Sequence, residues 1–214
     1  MKRTLSLTVA FLLTGVIAAA APKPVSATGA DDFTVGEYGL VKYPNVAALC
    51  PDQGIRDVYA SCRAQGELFQ KARAHAVDSR KLLLIGYGAD WCVWCKVSDR
   101  YLEGAVSKQE DGSPESKARL ARNLAEYVAE TFVVLHVDSD KKAETAPLMK
   151  EIGAGRWIGP EVPVFVVLDP RSGAVEEARL VEAEKPASAG YVGYDRVLVL
   201  RELLRAASAV KQGS

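Results

Sequence analysis

The most informative part of the sequence for the fold is the stretch Trp91-Cys92-Val93-Trp94-Cys95-Lys96. It follows Leu82 to Ile85, an apolar run that is typical of a buried strand. From Cys92 to about Gly104 the pattern predicts a helix, and the free N–H groups at its N-terminus favour an anion. Cys95 follows one turn later on the same side and can close a disulfide with Cys92. The motif therefore predicts a dithiol site for thiol–disulfide exchange.

A CxxC pair can also be half of a zinc site, which needs two further ligands at short spacing. The other cysteines, Cys50 and Cys62, do not form a second CxxC, and His75 and His136 are isolated in the sequence. Redox chemistry is therefore the favoured interpretation, and a metal-binding or metallochaperone site on the same cysteines is the alternative. His136, which has apolar neighbours, is interpreted as a core or strand-end histidine rather than a catalytic base.

The segment from Ala89 to Lys96 resembles the active-site segment of the thioredoxin superfamily. It is especially similar to that of periplasmic thioredoxin-like proteins and of the C-terminal domain of the membrane reductase DsbD, which also have Val after the first Cys. Val162-Pro163, directly before an apolar run, matches the place where the family keeps a cis-proline facing the dithiol. The resemblance covers roughly residues 67–210. It implies an α/β fold of the thioredoxin-like kind: a central mixed β-sheet flanked by helices on both faces, with an N-terminal extension.

The resemblance also implies roles for particular residues. The expected site consists of Cys92 (nucleophile), Cys95 (resolving cysteine) and the substrate-binding residues Trp91, Trp94, Val162 and Pro163. A cis-proline would let Val162 offer backbone groups to an extended substrate segment. For Trp94, ordinary packing against a neighbouring loop is an equal alternative. No metal and no organic cofactor are implied.

The chain departs from thioredoxin where that family handles the proton of the second cysteine. Family members often have a buried Asp at the position of Gly86, and a lysine that pairs with it near the position of Val134. Both are missing together, which argues against a simple copy of thioredoxin's proton handling. Asp90 is too near the surface to take over this role, so water or an acid from elsewhere has to be considered.

The length, the composition and the N-terminal segment indicate the number of domains and the cellular location to expect. With 214 residues, 49% of them hydrophobic, one domain plus extensions is expected. Lys+Arg and Asp+Glu are both 27, so no net charge favours binding to nucleic acid. Residues 1–27 are typical of a secretory signal peptide, with cleavage after Ala20 or Ala27. The mature chain would then be periplasmic or secreted, where disulfides persist; an uncleaved N-terminal membrane anchor is the alternative.

The rest of the chain is divided into an N-terminal extension, 28–66, and a thioredoxin-like domain, 67–214. Apolar spacing predicts a helix over residues 55–62. Cys50 and Cys62 are interpreted as a structural disulfide that ties the extension to this helix. A second redox pair that relays electrons to the CxxC, or two unpaired thiols, are the alternatives.

Together these patterns indicate an exported thiol–disulfide oxidoreductase. Val93-Trp94, between the cysteines, supplies no charge and stabilises a thiolate less than a cation would, so we expect a reductase or electron carrier rather than a strong oxidant. Its partners would be a protein disulfide and a membrane electron donor of the DsbD type, and we expect a monomer. The alternative from another class is a non-catalytic thioredoxin-like binding module whose CxxC is a structural disulfide.

Overall fold

A computed structural model describes residues 32–54, 56–185 and 189–213 of the chain. Its strands are β1 (Thr34–Val35), β2 (Val41–Tyr43), β3 (Leu82–Gly88), β4 (Phe132–Asp138), β5 (Val164–Leu168) and β6 (Val175–Ala178). Its helices are α1 (Val46–Leu49), α2 (Gln65–Asp78), α3 (Val93–Leu102), α4 (Pro114–Thr131), α5 (Lys142–Glu151) and α6 (Arg196–Gln212), with a 3-10 helix at Leu180–Ala183. The predicted signal peptide, residues 1–27, lies outside the described residues.

The strands form one mixed sheet in the order β1-β2-β4-β3-β5-β6. The central strand β3 runs parallel to β4 and antiparallel to β5, and β2 runs parallel to β4 on its other side. Every residue of β3 and β4 is buried, which explains their almost continuous apolar sequences. β5 and β6 form the antiparallel hairpin that the sequence predicts. The loop that leaves β3 leads directly into α3, so the CxxC lies at the C-terminal edge of the central strands.

Helices cover both faces of the sheet. Alternate residues of a strand point to opposite faces, so Leu82 and Leu84 pack in one core, while Leu83 and Ile85 pack in another. The first core contains residues of α3, α4 and α6, and the second contains residues of α2 and α5. This arrangement confirms the predicted α/β fold class, in which a central mixed β-sheet is flanked by helices on both faces.

The predicted helix over residues 55–62 is wrong for the described part of that segment, which forms turns. Ile55 itself lies outside the described residues. Side-chain hydrogen bonds take the place of helical ones here: the Val58 N–H donates to Asp90 Oδ1 at 2.7 Å. Tyr59 is buried, as the apolar spacing suggested, but it packs against the CxxC rather than along a helix.

The segment predicted to be an N-terminal extension supplies β1 and β2 to the sheet and also carries a disulfide. Cys50 and Cys62 are bonded, with an S–S distance of 2.01 Å. Inside the loop that they close, Gln53 Nε2 donates to the Tyr59 carbonyl oxygen at 3.2 Å, and Gln53 Oε1 accepts from the Cys62 N–H at 3.3 Å. These hydrogen bonds stabilise the loop between Cys50 and Cys62 (the bridged loop), and Tyr59 in this loop packs against Cys95 of α3.

None of the helices within the described ranges is long and apolar enough to cross a membrane.

Candidate active site

Cys92 is the N-cap residue of α3 and lies directly after β3. Its Sγ accepts a hydrogen bond from the Cys95 N–H at 3.2 Å, as an N-cap side chain does. This N–H group and the positive end of the helix dipole both favour negative charge on the sulfur. The side chain of Cys92 is nearly buried, at 6% exposure, so a substrate must approach it closely along one side.

Val162 and Pro163 lie beside Cys92, where the resemblance had placed them. The Val162–Pro163 peptide bond is cis. The Cys92 thiol donates to the Val162 carbonyl oxygen at 3.5 Å, and the Val162 side chain packs against the two cysteines. The structure thus brings the proposed substrate-binding backbone within reach of the proposed nucleophile.

The two tryptophans of the motif have different surroundings. Trp91 is 67% exposed, and its Nε1 donates to the carboxylate of Asp140 at 3.0 Å. Trp94 is partly buried and meets the ring of Tyr194 edge to face, with 5.2 Å between centroids. Trp91 therefore has a large exposed ring next to Cys92, whereas Trp94 makes the packing contact that was weighed as its alternative role.

Cys95 is almost completely buried, at 1% exposure, below Tyr59 and Cys92. Burial raises the pKa of the Cys95 thiol to about 12, and a hydrogen bond with Cys92 adds to this rise, while the Tyr59 hydroxyl acts in the opposite direction. Cys95 is consequently a protonated thiol near neutral pH. Only a thiolate attacks a disulfide, so resolution of a mixed disulfide by Cys95 requires a nearby proton acceptor.

A buried polar cluster lies one helical turn beyond Cys95. Asp99 Oδ1 is 3.0 Å from His136 Nε2, and the Asp99 carboxylate also accepts from Lys42 Nζ at 3.0 Å. Burial favours a raised pKa for Asp99, but the hydrogen bond from His136 and the charges of His136 and Lys42 outweigh it and lower the pKa to about 2. Asp99 is therefore ionised at neutral pH and accepts a hydrogen bond from the His136 Nε2–H group, so the lone pair of a neutral imidazole would lie on Nδ1.

The lowered pKa of Asp99 predicts an acid-sensitive contribution to stability. Ionised Asp99 stabilises the fold above its unfolded pKa, about 4, and the contribution is lost as the pH falls through about 2. We expect Asp99→Asn to lower the free energy of unfolding by about 2 kcal/mol at neutral pH and to flatten the loss of stability between about pH 4 and about pH 2. Urea unfolding across this range measures both effects. The exposed Asp111→Asn variant is the matched control, and an unchanged acid profile for Asp99→Asn would contradict the prediction.

Two glycines of β3 open space on the face that looks toward α3. A Cβ atom on Gly88 would collide with Tyr59 Oη and Cys95 Sγ. A Cβ atom on Gly86 would come within 3.3 Å of His136 Nδ1. At the position where the resemblance to thioredoxin places a buried Asp, this chain therefore has a glycine with an imidazole nitrogen beside it.

Sequence reasoning did not identify Tyr59 and Asp99 as neighbours of the dithiol, and it assigned His136 to the core. Asp99 could have been found, because it follows Cys95 by one turn of a predicted helix and so lies on the same side. His136 is buried among core residues as expected, but it is paired with a carboxylate. Within the described residues, no group of three or more His, Cys, Asp or Glu side chains could hold a metal ion.

Comparisons with known proteins add little to this geometry. No protein-family model and no curated protein matches the chain. One matching solved structure is a disulphide isomerase from Xylella fastidiosa Temecula1, which is 17% identical. The match covers 72% of this chain and 90% of that chain, with a TM-score of 0.38. The assignment of the fold accordingly rests on the strand order and helix layers described above.

Proposed function

We propose that the chain is a thiol–disulfide oxidoreductase that reduces protein disulfides through Cys92 and Cys95. The observation that carries this proposal is the position of Cys92, whose Sγ caps α3, accepts from the Cys95 N–H and lies beside the Val162 carbonyl. A nucleophilic thiolate needs such a polar, partly enclosed position at a helix N-terminus. A cysteine that served only to hold the fold together would not need it.

Disulfide reduction would proceed in two steps, the first at Cys92 and the second at Cys95. The Cys92 thiolate attacks one sulfur of the substrate disulfide, which breaks that bond and releases the other substrate sulfur as a thiolate. Cys95, after it has lost its proton, attacks Cys92 Sγ and expels the remaining substrate sulfur. Two electrons have then passed from the dithiol to the substrate, and Cys92 and Cys95 are joined as a disulfide. The reverse sequence would oxidise a substrate dithiol.

The surface around Cys92 suits an extended protein segment. Trp91 and Val93, on either side of Cys92 in the chain, are 67% and 59% exposed, which is high for large apolar side chains. Backbone groups of Val162 would pair with the extended segment while the exposed apolar residues contact its side chains. A protein disulfide is therefore the proposed substrate class.

The charges around the dithiol support the reducing direction. Val93 and Trp94 carry none, and the ammonium group of Lys96 lies 3.7 Å from the carboxylate of Asp57, which offsets its charge. A thiolate without cationic support is typical of reductants rather than strong oxidants. If residues 1–27 direct export, the oxidised dithiol needs an electron donor at the membrane, and a reductase of the DsbD type would supply the electrons.

Stoichiometric electron transfer tests this proposal. The reduced protein is mixed with a small disulfide-bonded protein, and free thiols on both partners are counted by alkylation and mass spectrometry. We expect each pair of substrate thiols that appears to be matched by the loss of the Cys92 and Cys95 thiols. Substrate that remains oxidised while Cys92 and Cys95 remain reduced would contradict the proposal.

A further inference from the structure

The resolving step needs a proton acceptor for Cys95, and the two cysteines do not supply one. Cys95 must lose a proton within a buried site before its sulfur can attack Cys92. Its neighbour Asp90 accepts the Val58 N–H through Oδ1 at 2.7 Å. Further candidate acceptors lie on the inner side of Cys95, toward the sheet.

Three polar atoms lie along one face of β3 on that inner side. Gly86 and Gly88 are two residues apart, so they share this face at a separation of about 7 Å. The site of the missing Cβ of Gly88 adjoins both Cys95 Sγ and Tyr59 Oη, and that of Gly86 adjoins His136 Nδ1. Because neither glycine has a side chain, these three groups can approach the strand closely, as can the ring of Phe165, which also adjoins Gly86.

Tyr59 adjoins both the sulfur and the imidazole. Its hydroxyl is buried beside Cys95 Sγ, which is a weak hydrogen-bond partner, and neither this hydroxyl nor His136 Nδ1 is hydrogen-bonded within the described ranges. Its ring meets the ring of His136 at 75°, with 5.4 Å between centroids. A buried hydroxyl is both a donor and an acceptor, so it can take a proton on one side while giving one up on the other.

His136 has the features of a proton acceptor. Its Nε2 is fixed 3.0 Å from the ionised Asp99, and its Nδ1 is buried without a hydrogen-bond partner among the described residues. A buried nitrogen with no partner is costly unless it has a function. The carboxylate of Asp99 would stabilise the imidazolium that forms when Nδ1 gains a proton.

A cleft connects this pair to solvent. It has a volume of about 730 Å³, and its lining includes Lys42, Asp99 and His136. A proton received by His136 can therefore leave through the cleft without passing back through the substrate-binding surface around Cys92. Lys42, which donates to Asp99, keeps the carboxylate charged between turnovers.

We propose that His136, supported by Asp99 and connected through the Tyr59 hydroxyl, accepts the proton that Cys95 loses when it resolves the mixed disulfide. The inference rests on the proposed exchange function and deepens it. The Cys95 S–H proton passes to Tyr59 Oη as the Tyr59 proton passes to His136 Nδ1, once Tyr59 Oη and His136 Nδ1, which are not hydrogen-bonded in this structure, have approached to hydrogen-bond distance. Cys95 Sγ then bonds to Cys92 Sγ, the mixed-disulfide bond breaks, and the substrate sulfur leaves with the electron pair. The leaving thiolate takes a proton from solvent, and His136 releases its own through the cleft.

Several charged and titratable groups face this route and contribute to its pH dependence. Around Cys95 they are Cys92, Tyr59, Tyr194 and Asp99, and around His136 they are Tyr59, Asp99 and, through Asp99, Lys42 and Glu103. The cleft adds Arg56, Asp57, Lys96 and Arg100. Tyr59 alone touches the reacting sulfur; His136 and Asp99 act through it. The test must accordingly separate a changed pH profile from a general loss of structure.

A single-turnover experiment separates the two chemical steps. The reduced full chain is mixed with a cyclic peptide that contains one disulfide, quenched with acid, and analysed for the mixed disulfide by mass spectrometry across a range of pH. The variants are Tyr59→Phe, which removes only the hydroxyl, and His136→Gln. The matched control is Tyr101→Phe, which removes another buried hydroxyl that has no hydrogen-bond partner among the described residues but lies in a different core cluster.

We expect both variants to form the mixed disulfide at the wild-type rate but to resolve it at least about tenfold more slowly at neutral pH. The deficit should shrink as the pH rises, because hydroxide then replaces the missing acceptor. A purely structural defect would slow resolution equally at every pH. Wild-type resolution rates with an unchanged pH profile in both variants would overturn the inference and leave the proposed function standing. Failure of the wild-type chain to form any mixed disulfide would contradict the proposed function, and the inference with it.

Discussion

Replacement of Cys92 by serine is expected to reduce disulfide exchange to the background rate while the chain stays folded. A serine hydroxyl can still cap α3, but it is not a nucleophile toward sulfur at neutral pH. Cys95→Ser should instead accumulate a stable mixed disulfide on Cys92, because the resolving thiol is missing. Activity assays with a protein disulfide, together with mass spectrometry of the trapped species, measure both outcomes.

These two variants also separate catalysis from the alternative of a non-catalytic binding module. If Cys92 and Cys95 only hold the fold together as a structural disulfide, both serine variants would be destabilised and neither would trap a substrate. We expect each to change the free energy of unfolding by no more than about 1 kcal/mol. Exchange activity that survives in Cys92→Ser would contradict the assignment of the nucleophile.

Removal of the Cys50–Cys62 disulfide should produce the largest loss of stability. The bridge closes a short loop, with a sequence separation of 12, and on the chain-entropy model such a loop stabilises the fold by about 3 kcal/mol. We expect the Cys50→Ala/Cys62→Ala double variant to lose about this much free energy of unfolding in urea. Amide hydrogen exchange in the loop that carries Tyr59 should accelerate as well.

The matched control is Cys92→Ala/Cys95→Ala, which removes the same number of sulfur atoms and keeps the structural bridge. It should retain most of the wild-type stability, since the structure shows Cys92 and Cys95 as free thiols. Equal stability of the two double variants would show that the bridge does not constrain the unfolded chain. In that case the bridged loop must be held by its internal hydrogen bonds, such as those of Gln53.

The central part of the fold could be predicted because its signals are local. The apolar runs of β3 and β4 and the amphipathic pattern of the helices follow from burial of one or both faces. The prediction of a helix over residues 55–62 was wrong because apolar spacing indicates which side chains are buried but not which contacts bury them. Tyr59 is buried by contact with the CxxC, and the Cys50–Cys62 bridge and side-chain bonds direct the loop there.

The dithiol site was only partly predictable from the sequence. The motif itself indicated Cys92 and Cys95, and the resemblance pointed to Val162 and Pro163, which the structure places next to them. The buried cluster behind Cys95 was not predictable as a unit. It combines groups from β2, the bridged loop, α3 and β4, and only the order of strands in the sheet brings these four segments together. The sequence did show that Gly86 could not supply the usual acid, which indicated that another group was needed.

Titration of the purified protein against a thiol–disulfide redox buffer tests the central claim most directly. Alkylation and mass spectrometry would locate each oxidised pair at every ambient potential. We predict that Cys92–Cys95 exchanges reversibly, with a reduction potential nearer about −270 mV than about −120 mV, while Cys50–Cys62 stays closed. A Cys92–Cys95 pair that does not exchange under native conditions would contradict the account and leave a thioredoxin-like binding module in its place.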